Sequence, residues 1–278
     1  MANLLDPLRM YLWGTENNDD CGCTGSLYVP EALEEEVEVT EEEEEALESV
    51  EEYLEEEEEE PIILAPIGAP SSTTVILGTA HLCSTPGKCS PDKKFREYAY
   101  SRRLVKEIYA RLVNSGYKCV IDWINDDMSG LNSSQELCKR ASIVNNICAE
   151  RGTSNCIYVS VHVNAAGGDG QWKNATGWAI YTSPGVTKSD TIATCLYEAA
   201  QEILCPLGKK IRTDFRDGDA DFEENFYVLK HTNCPAVLTE NFFQDCQSDV
   251  AWLESEEGFN AIVDIHVRGI IKYLSKIS

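Results

Sequence analysis

The stretch Cys156-Ile-Tyr-Val-Ser-Val-His-Val-Asn164 restricts the fold of this chain more than any other. Ile157, Val159, Val161 and Val163 alternate with Tyr158, Ser160 and His162. β-Branched residues at every second position predict a strand buried on at least one face. The strand ends in polar His162 and Asn164 and opens into Ala165-Ala-Gly-Gly-Asp-Gly170, a loop. In open α/β sheets, the carboxyl ends of strands are where ligands bind.

Two further runs end the same way. Thr74-Val-Ile-Leu-Gly-Thr79 stops just short of His81, and Pro235-Ala-Val-Leu-Thr-Glu240 ends in Glu240. Tyr117–Asp122 and Gly177–Thr182 also read as strands. Helical spacing falls between them. Leu104, Ile108 and Leu112 recur within a predicted helix from Lys93 to Ser115, and Leu137, Ala141, Val144 and Cys148 within one from Ser134 to Glu150. Asp190–Cys205, Ser248–Leu253 and Gly258–Leu274 complete the set, and residues 206–225 form a long polar loop, a candidate substrate-facing segment. Strands alternating with helices predict an α/β fold: a largely parallel mixed sheet with helices on both faces.

That fold occupies only part of the chain. The net charge of −25 is concentrated in residues 1–60, where 23 acidic side chains face Arg9 alone. Residues 1–30 read as an arm or docking peptide, and residues 31–72 as a glutamate-rich spacer with a proline-containing linker. The folded domain is expected over residues 73–278. With no basic stripe, nucleic acid is excluded as a partner. No apolar run is long enough to span a bilayer, so no membrane insertion is expected, and the first residues lack the pattern of a secretory signal. The acidic arm is either a spacer or a docking segment for an unidentified protein partner. Of the 12 cysteines, Cys119, Cys138, Cys148, Cys156 and Cys195 fall at apolar-patterned positions and read as free buried thiols; pairing of Cys83 with Cys89 stays open.

If the sheet is parallel, His81, His162 and Glu240 share one edge. Glu97, in the first turn of the helix after the first strand, starts at that same edge. Two histidines and a carboxylate form an open zinc set with a position left for water, and the remaining carboxylate is then a candidate base. The pattern suits hydrolysis of an amide or ester. His231 lies near the start of the Glu240 strand and is a surface residue or substrate contact; His266, mid-helix between Ile265 and Val267, reads as structural. Asp92, Asp122, Asp126 and Asp127 read as solvated carboxylates.

Taken in order, these residues resemble the zinc-dependent N-acetylmuramoyl-L-alanine amidases, cell-wall amidases of bacteria and their phages. Ala80-His81 stands where that family has Gly-His, and Glu97 matches its helix-start glutamate. Ser160-Val-His162-Val-Asn164 matches Ser-x-His-x-Asn, Leu137 with Arg140 and Asn145 matches its Leu-x-x-Arg-x-x-x-x-Asn helix, and Pro235 through Glu240 with Phe243 matches Pro-Ala-Val-Leu-x-Glu. The family's glycines around the first histidine are replaced by Ala80 and Leu82, and the glycine after its catalytic glutamate by Phe242. The resemblance implies one Zn2+ per chain held by His81, Glu97 and His162, Glu240 as the catalytic acid/base, and peptidoglycan as substrate. It also implies an enzyme of the phage or prophage lysin type, made in the cytoplasm and acting on the wall after release or within a virion. A zinc peptidase on the stem peptide, and a non-catalytic wall-binding or virion protein on the same scaffold, are the alternatives.

Overall fold

The computed structural model describes residues 72–122 and 130–277. The acidic arm, the spacer and its proposed docking role, together with Asp126 and Asp127, lie outside the described residues.

Six strands form one sheet: β1 Thr74–Thr79, β2 Lys118–Ile121, β3 Cys156–Asn164, β4 Ala179–Thr182, β5 Phe222–Glu223 and β6 Ala236–Phe243. Their spatial order is β2-β1-β3-β6-β4-β5. The first four in that order run parallel; β4 lies antiparallel to β6, and β5 follows β4. The expected α/β, largely parallel mixed sheet is therefore what the chain forms.

The alternation in each strand decides which helices cover which face. Val75, Leu77, Ile157, Val159, Val161 and Val163 point to the larger core, covered by α1 Glu97–Asn114, α3 Lys188–Leu204, α5 Gln247–Glu254 and α6 Glu256–Ile277. Ile76, Cys156, Tyr158, Ala236 and Leu238 point the other way, against α2 Ser133–Arg151 and the short α4 Tyr227–His231. Helices α3 and α6 pack closely because α6 carries Gly269, where a Cβ would lie 2.8 Å from the Leu196 Cα.

Most boundaries move by one to three residues from the sequence reading, and three differences shape the site. Helix α1 starts at Glu97, not Lys93. Ser90 closes a turn with Phe95, and Lys93 adopts φ +62°, which a helix cannot contain. The predicted loop 206–225 carries β5 and a bridge from Ile211 to Trp178. Strand β6 runs past Glu240 to Phe243. It does so through a bulge: His162 pairs with Glu240 but Asn164 pairs with Phe243, so β6 has one extra residue. Phe242, at φ +64°, takes up that residue. The reversal is invisible to an alternation pattern.

Gly78 explains a buried network beneath the sheet edge. A Cβ there would sit 2.2 Å from the Tyr158 hydroxyl, so only glycine lets Tyr158 lie across β1. The hydroxyl then donates to Asp122 Oδ2 at 3.0 Å.

Candidate metal centre

Strands β1, β3 and β6 are neighbours and parallel, so their carboxyl ends form one edge. His81 lies two residues beyond β1. Its backbone is left-handed, at φ +44°, and Arg140 Nη2 donates to its carbonyl at 3.0 Å. Beside it, the Ala80 amide donates to Ser101 Oγ at 2.8 Å, and Ser101 Oγ donates to the Val161 carbonyl at 2.7 Å. These contacts tie the end of β1 to α1 and β3.

Glu97 opens α1, where the helix dipole favours a carboxylate. Its side chain is 1% exposed. Oε1 lies 3.2 Å from His162 Nδ1 and 3.5 Å from His81 Nε2, and accepts from the Val163 amide at 3.2 Å. The second oxygen accepts from Gln244 Nε2 at 3.3 Å. The two imidazoles meet edge to face with centroids 5.2 Å apart. One ligand atom from each of His81, Glu97 and His162 falls within 4.8 Å of the others; among the described residues this is the sole such group.

The electrostatics fit a divalent cation. Burial pulls the His81 imidazole down to about 3, outweighing the nearby Glu97 charge, so it is neutral at pH 7. Burial alone would raise Glu97, but its hydrogen bond to His162 and the electrostatic pull of its surroundings, Lys88 included, hold it at about 2. The result is a buried carboxylate between two imidazole nitrogens, a borderline-soft N/O donor set with its lone pairs converging. Ser160 Oγ lies 3.0 Å from His162 Nε2, which leaves Nδ1 as the nitrogen facing the cluster.

Glu240 sits opposite His162 in the β3–β6 register. Its Oε2 is buried and has no hydrogen-bond partner. Burial, then repulsion from Glu97, pushes its carboxyl well above the ordinary range, against the pull of Lys88 and Arg212. An orphaned buried carboxyl with a raised pKa, beside a converging donor set, is an arrangement suited to proton transfer.

The structure thus brings together the four residues that sequence reasoning singled out. It leaves the other histidines elsewhere. His231 ends α4, stacked on Tyr227 at 3.9 Å with Nδ1 on the Tyr227 carbonyl. His266 is buried between Thr239 Oγ1 and the Ile262 carbonyl, at 2.9 and 2.7 Å. Asp122 corrects the sequence reading: it is a buried acceptor, not a solvated carboxylate. It takes the Thr79 amide at 3.1 Å and Arg140 Nη1 at 3.4 Å, besides Tyr158. Asp92 behaves as expected, on the surface with Ser90. No bridge joins Cys83 and Cys89; Cys148, Cys156 and Cys195 are buried as expected, but Cys119 is half-buried and Cys138 is exposed, against the sequence reading.

Supporting residues missed in the sequence include Gln244 and Asn241. Asn241 Nδ2 donates to the His162 carbonyl at 2.8 Å, and its Oδ1 accepts from Trp178 Nε1 at 2.9 Å. Both follow Glu240 within four positions, but the bulge sets their direction. Asp245 accepts from the Ala166 and Gly167 amides at 2.8 and 3.0 Å and shapes the glycine loop after β3.

The profile of the family described as N-acetylmuramoyl-L-alanine amidase matches residues 75–272. Over 116 residues the chain is 32% identical to the N-acetylmuramoyl-L-alanine amidase CwlM of Bacillus licheniformis, covering 41% of this chain and 39% of that protein. It is 30% identical over 122 residues to the endolysin of Bacillus phage SPP1, covering 43% and 40%. The chain therefore spans about two fifths of the length of these relatives. Among solved structures, an N-acetylmuramoyl-L-alanine amidase from Clostridium difficile 630 superposes with a TM-score of 0.60 at 22% identity, over 74% of this chain and 98% of that one. CwlD from Clostridioides difficile, solved with the GerS lipoprotein, gives 0.59 at 20% identity, over 73% and 99%. At such identities these two structures share the fold.

Proposed function

The chain belongs to the N-acetylmuramoyl-L-alanine amidase family, and from that premise we propose that it hydrolyses the amide between the lactyl group of N-acetylmuramic acid and L-alanine in peptidoglycan, using Zn2+. The observation that carries this reading is the meeting of His81, Glu97 and His162 within 4.8 Å, with Glu240 facing His162 across the β3–β6 pair.

In this reading His81, Glu97 and His162 hold the ion. When bound, the ion supplies Lewis-acid polarisation of the scissile carbonyl and a more acidic water. Glu240 Oε2 takes the proton from the attacking water and returns it to the departing alanine nitrogen. A carboxyl with a raised pKa serves both halves of that transfer. Gln244 and the Val163 amide hold the Glu97 carboxylate in place, and Ser160 orients the His162 ring through Nε2.

The relative from Bacillus phage SPP1, an endolysin, supports the finer reading of a phage or prophage lysin. Among the described residues no helix is long and apolar enough to cross a membrane.

Product analysis tests the bond. Digestion of purified peptidoglycan should release new amino-terminal alanine. Other new amino ends would replace this reading with a stem-peptide peptidase. Glu240→Gln should keep the metal and lose about 10²- to 10⁴-fold in kcat. An active Gln variant would remove Glu240 from the mechanism.

A further inference from the structure

Beside the metal centre lies a cavity of about 330 Å³, lined by residues that include Asn164, Thr176, Tyr181, Lys210, Arg212 and Phe243. It begins two residues past His162 and three past Glu240, so it continues the same edge of the sheet. No carboxylate lines it, and two cations do.

Those cations are built in. The 206–225 loop is stitched to the chain entering β4: the Trp178 amide donates to the Lys210 carbonyl at 3.0 Å, and the Arg212 amide to the Trp178 carbonyl at 2.7 Å. On this extended backbone, Lys210 and Arg212 point the same way. Both pack over Gly177, where a Cβ would meet Arg212 Cγ at 3.0 Å and Lys210 Cγ at 3.2 Å. The guanidinium lies between two rings, 5.3 Å from the Phe222 centroid and 5.2 Å from that of Phe243. That restricts its rotamers. Its Nη1 is buried and has no hydrogen-bond partner. Among the described residues neither Lys210 nor Arg212 makes an ion pair. A lining of two cations and no carboxylate, with a buried, unsatisfied Arg212 donor, calls for an anion.

Resting on the amidase reading, we propose that this cavity binds a carboxylate carried by the peptide on the alanine side of the scissile bond, with Arg212 as the residue that selects for it. The sugar side does not supply the anion. The carboxyl of the muramic acid lactyl group is consumed in the amide being cut, so the free carboxylates of the substrate belong to the peptide. Arg212 grips the carboxylate through its free Nη1, Lys210 adds charge from the rim, and Asn164, Thr176 and the Tyr181 hydroxyl furnish neutral hydrogen bonds. This sets the peptide's direction away from Glu240. The subsite discriminates a stem peptide with a free carboxylate from one whose carboxylate is converted to carboxamide.

The test uses the full chain and two leaving-group peptides with the γ-carboxyl capped as a methylamide, L-alanyl-D-glutamate γ-methylamide and L-alanyl-D-isoglutamine γ-methylamide, which differ only by an α-carboxylate against a carboxamide and need no hydrolysis. Calorimetry should give about 10- to 100-fold tighter binding of the acid, the worth of one hydrogen-bonded charge. Arg212→Ala should abolish that preference. Arg212→Lys, lacking the planar fork, should restore part of it. No preference in the wild type, whether both peptides bind or neither does, overturns the proposal, as does a preference that survives Arg212→Ala. Turnover of the parent muropeptides is followed separately. Selective binding without release of amino-terminal alanine would refute the amidase reading and keep the subsite. Cleavage without selective binding would do the reverse.

Discussion

Phe242 occupies a left-handed position, φ +64°, and is 1% exposed, with its ring 4.9 Å from that of Trp252. Two terms oppose each other there. A non-glycine side chain in this conformation costs about 1–2 kcal/mol, which glycine would recover. Removing a buried phenylalanine costs about 3–5 kcal/mol, and the extra freedom of glycine in the unfolded chain about 0.5–1 more. The core term wins, so Phe242→Gly should destabilise the fold by about 1.5–5 kcal/mol. For a domain of this size that is a fall in Tm of about 3–20 °C. Phe242→Ala loses the same packing but keeps the strain, so it should be less stable than the glycine variant by about 1 kcal/mol. This inverts the usual order of the two residues. Differential scanning calorimetry on the three proteins at one pH measures it. An alanine variant as stable as the glycine variant, or a glycine variant as stable as the wild type, would refute the reasoning.

Other outcomes follow from the same contacts. Ser160→Ala removes the partner of His162 Nε2 and should weaken zinc affinity about 10- to 100-fold, read by competition with a chelating dye. Arg140→Ala leaves Asp122 and Glu136 buried without their cation and should cost about 3–5 kcal/mol in urea denaturation. Gly269→Ala drives a methyl into Leu196 and should cost about 1–3 kcal/mol in the same assay. Asp221 is 3% exposed, and burial, with Asp219 adding, raises its carboxyl to about 7. Its folded form therefore binds the proton more tightly than its unfolded form. The stability it contributes is present at acid pH and is lost as pH rises toward 7. Asp221→Asn should flatten that fall and raise stability at pH 8, measured by denaturation across pH; an unchanged slope would refute the assignment.

The strand cores were legible because β-branched alternation and burial obey the same period. Cys156–Asn164 and Thr74–Thr79 lie where their residues place them. The four site residues were legible for a topological reason: parallel strands deliver their ends to one edge, and His81, His162 and Glu240 all follow apolar runs. Glu97 came with the crossover. What escaped was set by single-residue backbone reversals and by long-range contacts. The Phe242 bulge carried β6 beyond Glu240 and aimed Gln244 at Glu97. Asp122 read as a surface acid because its partners, Thr79, Arg140 and Tyr158, are far away in sequence. Lys210 and Arg212 looked like ordinary loop charges until the bridge to Trp178 set them side by side.

The central claim is that His81, Glu97 and His162 form a metal centre, and metal content tests it most directly. Elemental mass spectrometry on the purified chain should find about one zinc per chain, with His162→Ala losing it. No zinc in the wild type after incubation with the ion, or undiminished zinc in the variant, would contradict the account.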